Sequence, residues 1–255
     1  MRERRVRSRT PNAILMKTLH ASIQPNDSEI AARFNNVRIA NLYDALDSLD
    51  YPNQCLELGL RPLFKGQRGA GRALTVHGRR APFSREEVKE HERRVNYHTV
   101  RNLVQPGCFV VIDGGGEPFA GKFGEMTSWG LQQKGAVGIL VDGYIRDFRG
   151  LVELREKTDF TVCARGTSPI EGRRRWSVDW ADVVIAMPGT LTSQVRVAPG
   201  DWIVAGADGA LVVPDEISLK VLEITEDIEQ RECDMRRELA NGLDFVAAAA
   251  RFLRD

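Results

Sequence analysis

The sequence has no excess of charge of either sign: 36 lysines and arginines stand against 35 aspartates and glutamates in 255 residues. A near-neutral chain sets up no long-range field for a polyanion, so nucleic acid is not an expected partner. No apolar run approaches the roughly 20 residues that span a bilayer, and no membrane association is expected. Cysteine is scarce. Cys55, Cys108, Cys163 and Cys233 are scattered, with no Cys-x-x-Cys pair and no histidine at a zinc-like spacing. They read as reduced thiols of a cytoplasmic protein. Internal repeats and low-complexity tracts are also missing. The triple glycine Gly114-Gly115-Gly116 follows a strand pattern but lacks both the Lys-Ser/Thr of a P-loop and the Gly-x-Gly-x-x-Gly order of a dinucleotide site. Glycine there is expected to let the backbone pass close to the substrate or to the loop at Gly124.

What is present is ordinary for a globular protein, with 42% hydrophobic and 28% charged residues. One domain over 27–240 is expected, preceded by a basic arm at 1–26 and followed by a short helix within 241–255. The patch Ala13-Ile14-Leu15-Met16 in the arm is too short for a signal-peptide core of about 7–15 residues. Asp27-Ser28-Glu29-Ile30 opens a helix to about Phe34, and a second covers Ile39 to Leu49. A strand is expected at 73–77, an exposed charged helix within 79–98, and a strand at 108–113. Further strands are expected at 160–164 and 182–188, with a hairpin of Trp202–Ala205 and Ala210–Val213 about the turn Ala207-Asp208-Gly209. A helix from about Asp215 carries Ile217, Val221, Ile224 and Ile228 as an apolar stripe opposite Glu223, Glu226 and Glu229. His77 and His98, isolated and without partner spacing, read as structural or surface residues.

The most informative stretch runs from Gly124-Glu125-Met126 to Arg146-Asp147. Between them, Trp129–Lys134 reads as a short helix, Gly135 as its stop and 136–141 as a buried parallel strand, half of a βαβ unit. Parallel sheets place ligands beyond the carboxyl ends of their strands, and Arg146 and Asp147 fall there, on a turn containing Gly143. Carboxylates that hold a hard divalent cation with waters, beside an arginine for a substrate carboxylate, fit these residue types.

An acidic residue, twenty intervening positions and Arg-Asp resemble the motif of the RraA-like class II pyruvate aldolases. Asn41-Leu42-Tyr43-Asp44-Ala45-Leu46 is similar to that family's N-terminal helix. Leu60-Arg61-Pro62-Leu63 and Gly71–Val76 are similar to its first strands, and Pro199-Gly200-Asp201, Ala207-Asp208-Gly209 and Val212-Val213-Pro214 to its closing hairpin. The resemblance implies an α/β fold, a swivelling β/β/α domain with mixed sheets flanked by helices. It implies a divalent-metal-dependent carbon–carbon lyase that cleaves a 4-hydroxy-2-oxo acid to pyruvate and a carbonyl product and also decarboxylates oxaloacetate. Asp147 would bind Mg2+ or Mn2+ directly, Glu125 through a water that exchanges protons, and Arg146 the oxo-acid carboxylate. Gly124, Met126 and Thr127 would offer backbone N–H groups to the substrate. The base for aldol cleavage would come from a neighbouring subunit of a homotrimer or hexamer, among Glu226, Glu229 and Glu232, with Glu229 the choice made here.

Three features depart from the family pattern: Gly206 where an acidic residue is usual, the polar segment 79–98, and the basic run Gly172-Arg173-Arg174-Arg175-Trp176. The last two bear on the shape of the substrate pocket. The resemblance also admits a non-catalytic regulator that binds a ribonuclease or helicase, or a lyase for an unusual oxo acid. Glu125, Arg146 and Asp147 together favour the enzyme.

Overall fold

The structure, a computed structural model, describes residues 26–80 and 83–253. The expected arm, apart from residue 26, lies outside them. Two helices open the described chain, α1 (Asp27–Asn36) and α2 (Ile39–Ser48). There follow β1 (Arg61–Pro62), β2 (Gly69–Arg80), α3 (Arg85–Glu92), α4 (Tyr97–Leu103), β3 (Cys108–Asp113), α5 (Glu125–Gln132), β4 (Gly138–Ile145), α6 (Phe148–Lys157) and β5 (Thr161–Thr167). The second half holds β6 (Trp176–Ala181), β7 (Ile185–Met187), β8 (Val195–Val197), β9 (Trp202–Gly206) and β10 (Gly209–Val213), then α7 (Ser218–Ala240) and α8 (Phe245–Phe252).

Eight strands make one mixed sheet in the order β1-β5-β4-β3-β2-β9-β10, with β6 also on β2. Strands β2, β3, β4 and β5 are parallel; β1, β6, β9 and β10 join antiparallel. The parallel strands are buried on both faces, which is why they read as unbroken apolar runs rather than alternating ones. Successive side chains still point to opposite sides. Val110, Ile112, Ile139, Val141 and Val162 enter the core beneath α4, α5 and α6, while Phe109, Val111, Leu140 and Cys163 enter a second core against β7 and β8. Each such side chain, fully buried, contributes roughly 1.5–3 kcal/mol.

A third core joins α1, α2 and α7 to the β9–β10 hairpin. Ile39, Leu42, Ala45 and Leu46 form the buried face of α2, and Phe34 meets Trp202 at 5.3 Å. The apolar stripe of α7 packs here, with Val221 fully buried and Ile217, Ile224 and Ile228 partly so. The expected glutamate face of this helix is not wholly turned to solvent. Glu226 is bound by Arg33 at 2.7 Å, Glu229 accepts from the Arg38 backbone and from Asn41, and Glu232 accepts from Arg38 and Asn41. The glutamates clamp α7 onto α1 and α2.

Several expected boundaries move. Strand β2 starts at Gly69 rather than residue 73, because its first residues pair with β9. Strand β6 grows out of the basic run and pairs with the end of β2, a partnership about a hundred residues apart in sequence and invisible to local pattern. Strand β4 continues through Gly143, which at φ 132° accommodates a register irregularity between Val141 and Tyr144 instead of forming a turn. The triple glycine meets the loop at Gly124 through Lys122, whose Cε a Cβ on Gly114 would approach to 3.2 Å. A Cβ on Gly114 would strike the Asp142 carbonyl and one on Gly115 the Gly78 carbonyl, so these glycines let the loop pass between β4 and β2. No helix among the described residues is long and apolar enough to cross a membrane.

Candidate active site

Strand β4 ends at Ile145, and the loop 121–124 lies along that end like an extra strand. Lys122 N–H donates to the Tyr144 carbonyl at 2.9 Å and Arg146 N–H to the Phe123 carbonyl at 3.0 Å. Glycine makes the approach possible. A Cβ on Gly121 would stand 2.7 Å from Arg146 Cβ. Asp147 follows with left-handed backbone, φ 66° and ψ 50°, and caps the start of α6. Such a conformation is uncommon outside glycine and marks a position worth a functional test. Arg146 Nε and Asp147 Oδ1 are 3.3 Å apart, with the aspartate about half exposed.

Helix α5 begins four residues earlier than the sequence pattern suggests. Thr127 Oγ1 accepts from the Gly124 N–H at 2.8 Å and donates back to the Gly124 carbonyl at 2.8 Å, and Ser128 Oγ reaches the same carbonyl at 2.9 Å. These hydroxyls close the first turn of the helix. The Gly124 N–H is therefore already engaged, and the first-turn donors of α5 belong to Glu125, Met126 and Thr127. The Met126 side chain is 72% exposed.

Glu125 packs on the first turn of α6. A Cβ at Gly150 would collide with Glu125 Cγ and stand 2.6 Å from its Cδ, so glycine at 150 leaves the space that the glutamate side chain fills. Sequence reading overlooked Gly150; its only local signal was a glycine inside a helical pattern.

Beneath the loop lies a buried ion pair that the sequence reading also missed. Lys122, with a fully buried side chain, donates to the Glu117 carbonyl at 2.8 Å and its carboxylate at 3.1 Å. Burial pushes the ammonium below its ordinary pKa, against the opposing pull of Glu117 and Asp142. Burial alone would raise the Glu117 carboxyl, but N–H groups of Phe119 and Ala120 together with Lys122 hold it below the usual range. This pair fixes the loop that presents Gly124.

A cavity of about 780 Å³ opens on Gly124, Met126, Thr127, Arg146 and Asp147. Glu125 is not in its lining, nor is Glu229, which within one chain stays on α7 beside Arg38 and Asn41. His98 borders the cavity, whereas His77 lies in a separate hollow, its Nδ1 2.6 Å from Asp113 Oδ2. All four cysteines are free thiols, and burial pushes Cys108 up to about 11.

Among the described residues, no group of three or more His, Cys, Asp or Glu side chains is arranged to hold a metal ion. A transition-metal cage is not built here. Oxygen donors, Asp147 at the cavity and Glu125 one residue beyond Gly124 but outside the lining, suit instead a magnesium-like cation that keeps most of its waters and takes further oxygens from substrate. The exposed Asp147 carboxylate, engaged among the described residues by its neighbour Arg146, fits that donor role.

Residues 39–212 match the family model described as RraA-like, Aldolase/RraA. A provisionally named 4-hydroxy-4-methyl-2-oxoglutarate aldolase of Halalkalibacterium halodurans is 31% identical over 210 residues, covering 80% of this chain and 87% of that protein. Another of that name, from Cupriavidus necator, is 34% identical over 111 residues, 44% of this chain; the chain spans 61% of that relative's length. Among solved structures, Streptomyces coelicolor RraAS2, described as an unusual member of the RNase ES inhibitor RraA protein family, superposes with a TM-score of 0.69 at 28% identity, covering 84% of this chain and 98% of that one. An uncharacterized protein from Pseudomonas syringae pv. tomato gives a TM-score of 0.72 at 20% identity over 89% of this chain and 99% of its own, a likeness of fold.

Proposed function

The chain belongs to the RraA-like family, and from that premise we propose that it is a divalent-metal-dependent carbon–carbon lyase. Its substrate is a 4-hydroxy-2-oxo acid, mono- or dicarboxylic, cleaved to pyruvate and a carbonyl product; oxaloacetate decarboxylation is a second activity. One observation carries the reading: Arg146 and Asp147, at the end of a parallel strand, border a cavity together with the first turn of α5. The names of the H. halodurans and C. necator relatives support the same chemistry.

Asp147 directly, and Glu125 through water, would hold magnesium or manganese. When bound, that ion supplies Lewis-acid polarisation of the 2-oxo group. Arg146 offers a planar fork to the substrate carboxylate and steadies negative charge as it develops on the pyruvyl oxygen. The N–H groups of Glu125, Met126 and Thr127, at the positive end of α5, face an anionic head group. Aldol cleavage further requires a base for the C4 hydroxyl. In a homotrimer or hexamer, Glu229 of a neighbouring copy takes that role, its carboxylate oriented by Asn41 and Arg38. Decarboxylation needs no such base.

A second reading, a non-catalytic regulator of a ribonuclease or helicase, draws on the kinship with RraAS2. Retention of Glu125, Arg146 and Asp147 favours the lyase. Screening 2-oxo acids for magnesium-dependent pyruvate release separates the two: release from at least one supports the enzyme, and none from any supports the regulator.

A further inference from the structure

The two segments that depart from the family pattern, 79–98 and the basic run at 172–176, meet in space. Together they form the far wall of the cavity that opens on Arg146 and Asp147. Helix α3 is tied to this wall at two points, and the residue before its cap at a third. His91 Nε2 lies 2.6 Å from the Val178 carbonyl of β6, Arg173 reaches Glu92 at 2.6 Å, and Arg174 Nε donates to the Phe83 carbonyl at 3.3 Å. Ser84 and Glu87 start the helix with reciprocal capping bonds, and Val88 is its buried residue, in the cavity lining. Helix α3 is the expected exposed charged helix over most of its surface, with Val88 its buried residue and His91 and Glu92 half-buried where it joins the wall.

Three rings border the chamber: Tyr97 is half-buried at its edge, while Phe123 and Trp176 are buried in the core behind it. Tyr97 meets Phe123 edge to face at 6.1 Å, and Phe123 meets Trp176 in the same way at 6.0 Å. The Tyr97 hydroxyl donates to the Thr127 carbonyl at 2.9 Å, joining this ring cluster to the first turn of α5. At about 780 Å³ the cavity falls within the roughly 300–1,000 Å³ of pockets that enclose drug-sized ligands, far more than a five-carbon oxo acid fills.

We propose that the chamber receives the C4 substituent of the substrate and that this substituent is aromatic. The substrate class is then a 4-aryl-4-hydroxy-2-oxobutanoate, and the products are pyruvate and an aromatic aldehyde. This rests on the lyase reading above. In the step, the C3–C4 bond breaks, its electron pair stays on C3, the C4 hydroxyl gives up its proton, and C3 gains one from water or the base. No oxidant or reductant is required. An aryl ring extends the edge-to-face cluster of Tyr97, Phe123 and Trp176, a geometry that aromatic rings favour.

The test compares pyruvate release from 4-hydroxy-2-oxo-4-phenylbutanoate, from its 4-cyclohexyl counterpart and from 4-hydroxy-4-methyl-2-oxoglutarate, with oxaloacetate decarboxylation as the head-group control. Calorimetric binding of 2-oxo-4-phenylbutanoate against 2-oxobutanoate gives a readout independent of turnover. The expected results are a kcat/KM at least about tenfold higher for the phenyl compound than for either other aldol, and tighter binding of 2-oxo-4-phenylbutanoate than of 2-oxobutanoate. Val95 belongs to the chamber wall away from Arg146 and Asp147, in the segment between α3 and α4, and Val95→Phe should lower kcat/KM for the phenyl compound by about tenfold while leaving oxaloacetate decarboxylation within about twofold. Equal or better turnover of the cyclohexyl or dicarboxylic substrate, or equal loss of both activities in V95F, overturns the proposal. Turnover of oxaloacetate with no aryl preference defeats this inference alone; pyruvate from no substrate defeats the lyase reading and this inference with it.

Discussion

A Cβ on Gly124 would stand 2.5 Å from Asp147 Oδ2, so the start of α5 and the proposed metal ligand occupy adjoining space that admits no side chain. Arg146 Cγ lies 3.0 Å from the same point. Gly124→Ala should therefore push Asp147 and Arg146 from their positions without emptying any core. Because displacements near 1 Å can cost about a hundredfold in rate, kcat/KM for pyruvate release should fall by about that factor while the thermal midpoint stays close to wild type. Steady-state kinetics alongside a circular-dichroism melt checks it. Unchanged kinetics would show that the contact yields freely.

Lys122 and Glu117 form the buried pair under the same loop, and removing one partner strands the other. Lys122→Met leaves the buried Glu117 carboxylate without its counter-charge, held by the Phe119 and Ala120 N–H groups alone, so unfolding free energy should drop by up to about 3 kcal/mol in urea denaturation. The Lys122→Met, Glu117→Leu double variant should recover part of the loss, since an apolar pair needs no charge compensation but leaves the Phe119 and Ala120 N–H groups without their acceptor. A double variant no better than the single one would show that the pair does more than neutralise itself.

The Gly124–Asp147 contact could not be read from the sequence, although both residues were singled out. What was legible was periodic or local: the apolar runs of β3 and β4, the β9–β10 hairpin at Ala207-Asp208-Gly209, and the stripe of Ile217, Val221, Ile224 and Ile228 on α7. Residue spacing also brought Gly124, Arg146 and Asp147 together. Helix α6 escaped because its buried stripe is only Leu151 and Leu154 in a charged stretch, and because the left-handed backbone of Asp147 turns strand into helix within two residues. Strand β6 escaped because three arginines precede it and its partner is distant in sequence. The direction of Glu226 and Glu229 likewise depended on where α1 and α2 pack, which helical periodicity on α7 does not encode.

Glu226 lies below the ordinary glutamate range chiefly because Arg33 hydrogen-bonds it. A carboxyl with a depressed pKa adds stability that is present above its unfolded value, near 4.3, and is lost as pH falls through the lower folded value. Glu226→Gln should thus be less stable than wild type at neutral pH and converge on it below about pH 4. Both groups are partly exposed, so the gap should also narrow in high salt. Melting curves across pH 3–7 measure it; a gap that persists unchanged in acid would assign the effect to packing.

The shared-site proposal concerns Glu229. Glu229→Gln should depress aldol cleavage, which needs a base, and spare oxaloacetate decarboxylation, which does not. Mixing Glu229→Gln subunits with Asp147→Ala subunits should restore part of the aldolase activity by assembling intact composite sites. A fully active monomer, or equal loss of both activities in the glutamine variant, would speak against a site shared between chains.

The most direct test of the lyase account is pyruvate released from 4-hydroxy-4-methyl-2-oxoglutarate and from oxaloacetate by wild type and Asp147→Ala, before and after exhaustive chelation and with magnesium restored. The account predicts release by wild type that chelation abolishes and magnesium restores, and none above background by Asp147→Ala in any condition. Full turnover after chelation, or an Asp147→Ala variant as active as wild type, would contradict it.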